Sequence, residues 1–130
     1  MEAVTNELKV FLKDLGEATA RVDADEILSR FYDDDVLIVG EGSPGALRGA
    51  EAFRSVLSGY LAEWGAGVSM VFRLDKHVVA SETVASAYVD ATCQPARPDA
   101  ETGRYRVHMV WQRGPKGWRI VQEMFAVGSL

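Results

Sequence analysis

The chain has 130 residues, of which 48% are hydrophobic and 25% are charged, a composition typical of a globular domain. With 19 acidic and 14 basic residues its net charge is −5, so we expect neither DNA nor RNA as a partner. Cys93 is the one cysteine, and no apolar run approaches the length that spans a bilayer. We therefore expect one cytoplasmic domain, residues 1–130, with no disulfide and no membrane contact.

The first half of the chain has mainly helical periodicity. Apolar residues at helical spacing predict a first helix: Val4, Leu8, Phe11, Leu12 and Leu15. Asp23, with Glu26 three residues later, predicts the N-terminal cap of a second helix. After an apolar run at 36–39 that predicts a strand and a glycine-rich loop at 40–45, a third helix is predicted from about Ala50 to Trp64.

The second half alternates as strands do. We predict strands over residues 68–74, 83–94, 104–113 and 118–127, with a tight turn at 114–117. Helices followed by an antiparallel meander are typical of an α+β domain. The sequence thus predicts three N-terminal helices packed on one face of a curved antiparallel sheet.

No arrangement of ligands predicts a metal site. His77 and His108 are 31 positions apart, and no pair of cysteines or closely spaced histidines is present. The acidic run Asp33–Asp35 is interpreted as a solvated turn that hydrogen-bonds its own backbone, because adjacent side chains of an extended segment cannot converge on one ion. We expect neither a metal nor an organic cofactor.

Two polar residues interrupt apolar strands. Asp90 lies in the middle of one predicted strand and His108 in the middle of the next. If adjacent strands bring them together, they form an acid–base pair that titrates near neutral pH, which makes both candidate catalytic residues. The alternative is an exposed pair on the wet face of the sheet with a structural role only.

Two segments resemble a known superfamily. The segment from Asp25 through Phe31 to Val36, followed by 40–45 and by Leu47-Arg48-Gly49, resembles the first half of SnoaL-like proteins. The run 106–111, a turn, and 117–121 is similar to the closing hairpin of the same group. This group belongs to the nuclear transport factor two-like superfamily, with ketosteroid isomerase. The nearest type is the subgroup related to the kinase II association domain.

The resemblance implies a cystatin-like conical barrel with a cavity between helices and sheet. It also implies homodimerisation through the outer sheet face and a small hydrophobic molecule as ligand. Candidate ligand-binding residues on this basis are Tyr32, Glu41, Trp64, Tyr88, Gln122 and Met124. Gln122 and Met124 stand where the related subgroup often carries histidines, and Gly40 and Met109 stand where ketosteroid isomerases carry carboxylates, so steroid isomerisation is not expected.

Three functions stay open at this point. The first is a small-molecule-binding protein with a hydrophobic cavity. The second is an isomerase, cyclase or hydrolase that works without a cofactor through Asp90, His108 or Glu41. The third is a homo-oligomeric association module without catalysis. An apolar hairpin face needs cover from helices or from a partner, and a homodimer is expected; this face carries Tyr105, Val107, Met109 and Trp111.

Overall fold

The computed structural model describes residues 2–130 and contains three helices and six strands. The helices are α1 (Glu2–Ala20), α2 (Ala24–Phe31) and α3 (Ala50–Trp64). The strands are β1 (Tyr32–Gly40), β2 (Leu47–Arg48), β3 (Ser69–Ala80), β4 (Val84–Gln94), β5 (Gly103–Gly114) and β6 (Gly117–Val127). The α+β class, the three helices and the strand before α3 are as predicted, and the short β2 between that strand and α3 is an addition.

The six strands form one sheet in the order β2-β1-β6-β5-β4-β3. β6, β5, β4 and β3 pair antiparallel, whereas β1 runs parallel to β6. The predicted purely antiparallel sheet is therefore corrected to a curved, mixed and open one. A parallel neighbour needs a long crossover in place of a tight turn, and the chain between β1 and β6 supplies it.

Local signals place the ends of two helices. The Asp23 side chain accepts a hydrogen bond from the Glu26 N–H at 3.2 Å and caps α2, as predicted. Gly65 follows α3 with φ of 82°, a conformation that favours glycine, and its N–H donates to the Leu61 carbonyl. These caps orient α2 and α3 over the sheet.

The core lies between the helices and one face of the sheet, the inner face. Met109 and Trp111 of β5 are about 1% and 0% exposed, and the Phe11 ring of α1 packs edge-on against Trp111. The helices thus cover the apolar hairpin face, for which the sequence predicted cover by either helices or a partner. The opposite, outer face has no covering element among residues 2–130.

An extra residue in β6 decides which of its side chains reach the inner face. Trp111 pairs with Ile120, but the preceding residue Val110 pairs with Gln122, so Val121 is a bulge. Before the bulge, even-numbered residues such as Ile120 are buried; after it, odd-numbered Glu123 points inward. The bulge therefore reverses the alternation along β6.

A second irregularity lies in β1. Tyr32 pairs with Ile120 and Leu37 with Gln122, so the intervening residues bulge out of the ladder. There the Asp33 carboxylate accepts the Asp35 N–H at 3.0 Å. The acidic run hydrogen-bonds its own backbone as predicted, but it does so inside a strand, not in a turn.

Candidate functional site

A cavity of about 100 Å³ lies between the helices and the inner face of the sheet. Its wall is mostly apolar and unusually rich in aromatic rings. It is lined by Leu15, Thr19, Ile27, Tyr32, Phe53, Leu57, Tyr60, Trp64, Met70, Phe72, Ala91, Tyr105, Val107, Met109, Glu123 and Phe125. An apolar cavity with few polar groups is the usual form of a small-molecule site.

The size of the cavity limits what it holds. Sites for drug-sized ligands measure roughly 300–1,000 Å³, and a dry cavity of about 150 Å³ accommodates benzene. At about 100 Å³ this cavity matches a compact molecule, unless its walls move.

Glu123 is the acidic side chain of this cavity, and the β6 bulge directs it there. It is 8% exposed, and its Oε1 accepts a hydrogen bond from the Tyr32 hydroxyl at 2.8 Å. Among residues 2–130, no lysine, arginine or histidine forms a salt bridge with it. The carboxyl group is thus held by one neutral partner in an apolar setting.

Tyr32 is positioned by the junction of α2 and β1. Its N–H donates to the Leu28 carbonyl and closes α2, while its own backbone is already extended, with φ of −115°. The ring is 8% exposed and packs 5.5 Å from the ring of Phe53. This packing fixes the hydroxyl at Glu123.

The environment of the pair changes both acidities. Burial raises the pKa of Glu123 to about 7, and the Tyr32 hydrogen bond opposes part of that rise. Burial, followed by the nearby Glu123 charge, raises the pKa of Tyr32 well above its ordinary value of 10.0. At neutral pH Glu123 populates both its acid and its base form, as proton transfer requires, while Tyr32 keeps its proton.

Aromatic rings of α3 and β6 form another part of the wall. Tyr60 and Trp64 stack with their centroids 5.5 Å apart, and the Phe125 ring meets Tyr60 edge-on at 6.4 Å. The Thr19 hydroxyl, also in the wall, donates to the Leu15 carbonyl at 2.7 Å. The Thr19 hydroxyl is therefore occupied by a backbone partner, and Glu123 is the one carboxyl group among the lining residues.

The structure separates the residues that the sequence analysis proposed. Tyr32 and Trp64 line the cavity. The expectation that Tyr88, His108, Gln122 and Met124 also face it is wrong, because their side chains lie on the outer face. Tyr88, His108 and Met124 are register neighbours there, with Tyr88 52% and Met124 59% exposed.

Asp90 and His108 do not form the expected acid–base pair. Asp90 pairs with Arg106 across the strands, and its carboxylate accepts from Arg73 and from the Leu130 N–H, each at 2.9 Å. These two partners, the backbone one first, lower its pKa. The His108 ring lies 4.7 Å from the Tyr88 ring. Both residues are on the outer face because β4 and β5 put their odd-numbered, apolar side chains inward.

Glu41 lies outside the cavity as well. Its side chain is exposed and accepts the Val127 N–H at 2.7 Å, so it ties the loop after β1 to the end of β6. The expectation that it contacts a ligand in the cavity is therefore corrected to this structural contact.

Glu123 is not among the residues predicted from the sequence, although a signal for it is present. Apolar residues occupy even positions at Trp118 and Ile120 but an odd position at Phe125. Such a change of parity within one strand indicates a bulge, and it places Glu123 on the same face as Phe125.

The described part of the chain, residues 2–130, gathers no group of three or more His, Cys, Asp or Glu side chains that could hold a metal ion. In the same range, none of the helices is sufficiently long and apolar to cross a membrane.

Comparison with known proteins gives one family and several similar structures. A family described as a SnoaL-like domain matches residues 9–128. None of the curated proteins matches the chain. An NTF2-like protein of unknown function from Pseudomonas putida is 20% identical, with a TM-score of 0.77 over 97% of this chain and 87% of that one.

Two further structures are similar. An NTF2-like protein from Streptomyces avermitilis, proposed to be a dehydratase, is 16% identical with a TM-score of 0.78, covering 99% of each chain. A ketosteroid isomerase-like protein from Erwinia carotovora is 18% identical with a TM-score of 0.67, covering 96% of this chain and 99% of that one. At these identities the likeness concerns the fold alone.

Proposed function

Because the chain belongs to the SnoaL-like domain family, we propose that it binds a small, mostly apolar molecule in the cavity between helices and sheet. The observation that carries the proposal is the buried Glu123–Tyr32 pair in an otherwise apolar wall. A polar group of the ligand faces this pair, and the rest of the ligand contacts the aromatic rings.

The energetics of burial support a ligand at this place. A carboxyl group removed from water costs free energy unless its oxygens find hydrogen-bond partners. Glu123 finds one partner, Tyr32, and its Oε2, which accepts no hydrogen bond from the described residues, is not sealed off by protein atoms and can be reached by a ligand. A ligand hydroxyl group supplies the second partner by donating to Oε2, and a ligand carbonyl group does so by accepting from the protonated carboxyl group.

Titration with phenol, followed by NMR of the backbone amides, tests binding. Phenol combines a hydroxyl group for Glu123 with a single apolar ring. We expect shifts at cavity-lining residues, and Glu123→Leu weakens the affinity by about tenfold or more, the cost of one lost buried partner. Gln122→Leu is the matched control on the outer face and leaves the affinity unchanged. Absence of cavity shifts, or equal loss in both variants, contradicts the proposal.

A second candidate function is catalysis by proton transfer without a cofactor, as in an isomerase, cyclase or hydrolase. It is favoured by the pKa of about 7 at Glu123, which lets the carboxylate take a proton and return it at neutral pH. Cyclohexanone in D₂O tests this function. If it holds, the wild type replaces hydrogens next to the carbonyl with deuterium faster than Glu123→Gln does. Equal rates contradict it.

We also propose a homodimer in the cytoplasm, assembled through the outer face. Tyr88, His108 and Met124 form an uncovered row across β4, β5 and β6. Buried Cys93, a free thiol, suits a reducing compartment. In sedimentation we expect twice the 14.2 kDa chain mass for the wild type and the chain mass itself for Tyr88→Glu/Met124→Glu. A wild-type monomer at tens of micromolar contradicts the dimer, and with it the association-module function.

A further inference from the structure

Gly40, the last residue of β1, lies directly beneath the ring of Phe125 on β6. The two residues are register partners in the parallel pair of strands, and the Glu41 N–H donates to the Phe125 carbonyl at 3.0 Å. A Cβ atom on Gly40 would fall 2.7 Å from Cε2 and 2.9 Å from Cε1 of the ring, and it would also overlap Cζ. The ring therefore occupies the space that any other residue would need.

Backbone conformation does not explain glycine at this position. Gly42 and Gly49, further along the chain, have φ of 83° and 92°, values that disfavour side chains, whereas Gly40 is not among the positive-φ glycines. Residue 40 is thus small because of its neighbour. The atoms it would meet belong to the far end of a side chain, which can rotate away.

That rotation matters for the cavity. Phe125 is half-buried and lines the cavity, and its ring meets the ring of Tyr60, another lining residue, edge-on. The ring thus contacts both Gly40 and an aromatic residue of the wall. Because the ring is itself part of the wall, its displacement from Gly40 changes the space that a ligand would fill.

We infer that Phe125, seated on the bare backbone of Gly40, is a wall that sets the cavity's size and restricts its ligand to a compact, one-ring molecule with a hydrogen-bonding group. This inference rests on the proposed function. The volume of about 100 Å³ is smaller than that of a dry cavity of about 150 Å³ known to hold benzene, so no second ring fits while Phe125 keeps its place. The neighbouring Glu123, two residues earlier on the same strand face, supplies the polar contact.

A double-mutant cycle with two probes tests the inference. Phenol has one ring and 1-naphthol has two, and each carries one hydroxyl group for Glu123. We expect the wild type to bind phenol at least about tenfold more tightly than 1-naphthol. Gly40→Ala weakens phenol binding about tenfold, because the displaced ring changes the space that phenol fills. Phe125→Ala admits 1-naphthol, and Gly40→Ala/Phe125→Ala binds both probes as Phe125→Ala does, since no ring remains to be displaced.

Each result of this cycle either supports or contradicts the inferred role of Phe125 as the wall that limits the size of the ligand. If Gly40→Ala weakens phenol binding equally with and without Phe125, or has no effect, Phe125 does not transmit the change, although the proposed function stands. If the wild type binds neither probe, the proposed function fails and the size limit fails with it. Gly45→Ala is the matched control, because its Cβ would meet nothing within 4 Å. Should Gly40→Ala not fold, Phe125→Leu replaces it, and unchanged exclusion of 1-naphthol by that variant overturns the inference.

Discussion

Glu123 on the inner face of the sheet and Asp90 on the outer face are both shielded from water at least in part, and their pKa values shift in opposite directions. Glu123 on the inner face has its pKa raised to about 7 by burial. Asp90 on the outer face has its pKa lowered by the Leu130 N–H and by Arg73. Both are carboxyl groups on strands of one sheet, β6 and β4, so the residue type does not explain the difference.

The difference between the two pKa shifts shows which surroundings make a carboxyl group a candidate functional residue in this fold. On the outer face, water and charged partners stabilise the ionised form, and the carboxylate serves as a structural contact. On the inner face, the helices exclude water and leave one neutral partner, so the proton becomes exchangeable near pH 7. The following substitutions test this contrast, from the largest expected effect to the smallest.

The largest contrast is expected between two neighbours on β5. Met109 is 1% exposed on the inner face, and Met109→Ala should lower the free energy of unfolding by about 2–5 kcal/mol through the cavity it creates. His108→Ala on the outer face should cost less than about 1 kcal/mol and leave phenol binding unchanged. Chemical denaturation measures both values. Equal costs would contradict the assignment of the two faces.

The pH dependence of stability should carry the signature of Glu123. Its pKa rises from an ordinary 4.5 to about 7 on folding, so the folded state holds a proton that the unfolded chain releases between these values. The contribution of Glu123 to the free energy of unfolding is therefore greatest below about pH 4.5. It falls by about 3 kcal/mol as the pH rises to about 7, and it is constant above that pH. Glu123→Gln should lack this fall. If denaturation shows that the free energy of unfolding depends on pH in the same way for the wild type and for Glu123→Gln, the raised pKa of Glu123 is ruled out.

Tyr32→Phe tests the surroundings of Glu123 through its hydrogen-bond partner. The Tyr32 hydroxyl stabilises the ionised form of Glu123, so its removal raises the pKa of Glu123 further. The loss of the hydrogen bond should cost about 1–2 kcal/mol of unfolding free energy at pH 8, where Glu123 is ionised, and less at pH 5. Carbon-13 NMR of the Glu123 carboxyl group measures the pKa, and a lowered value would contradict the arrangement.

The smallest effect is expected on the outer face. Asp90→Asn removes an ion pair whose Arg73 side chain is 79% exposed, so the cost at pH 7 should be below about 1 kcal/mol. Because the pKa of Asp90 is lowered on folding, its contribution is present above the ordinary value of 3.8 and is lost as the pH falls through the folded-state value. Acid denaturation of the variant should thus show a weaker decline than the wild type. If Asp90→Asn lowers the free energy of unfolding by more than Tyr32→Phe does, the contrast between the outer and the inner face is contradicted.

Local patterns in the sequence determined much of the fold. Asp23 and Glu26 mark the start of α2, Gly65 marks the end of α3, and the alternation of β5 separates Met109 from His108. These features depend on neighbours within a few residues, which the sequence displays directly. The order of helices followed by strands extended them to the α+β class, which the structure confirms.

Only the tertiary structure decided which carboxyl group lies in the cavity. The alternation of β5 predicts that the two faces of the strand differ. Which face is buried depends on where the helices pack, and they pack on the face that carries Met109. The extra residue Val121 then turned Glu123 inward and Gln122 outward. The partner of Glu123, Tyr32, is 91 residues away in the chain. The change of parity along β6 is visible in the sequence, but the contact of Glu123 with Tyr32 arises from packing between distant segments, which no local pattern encodes.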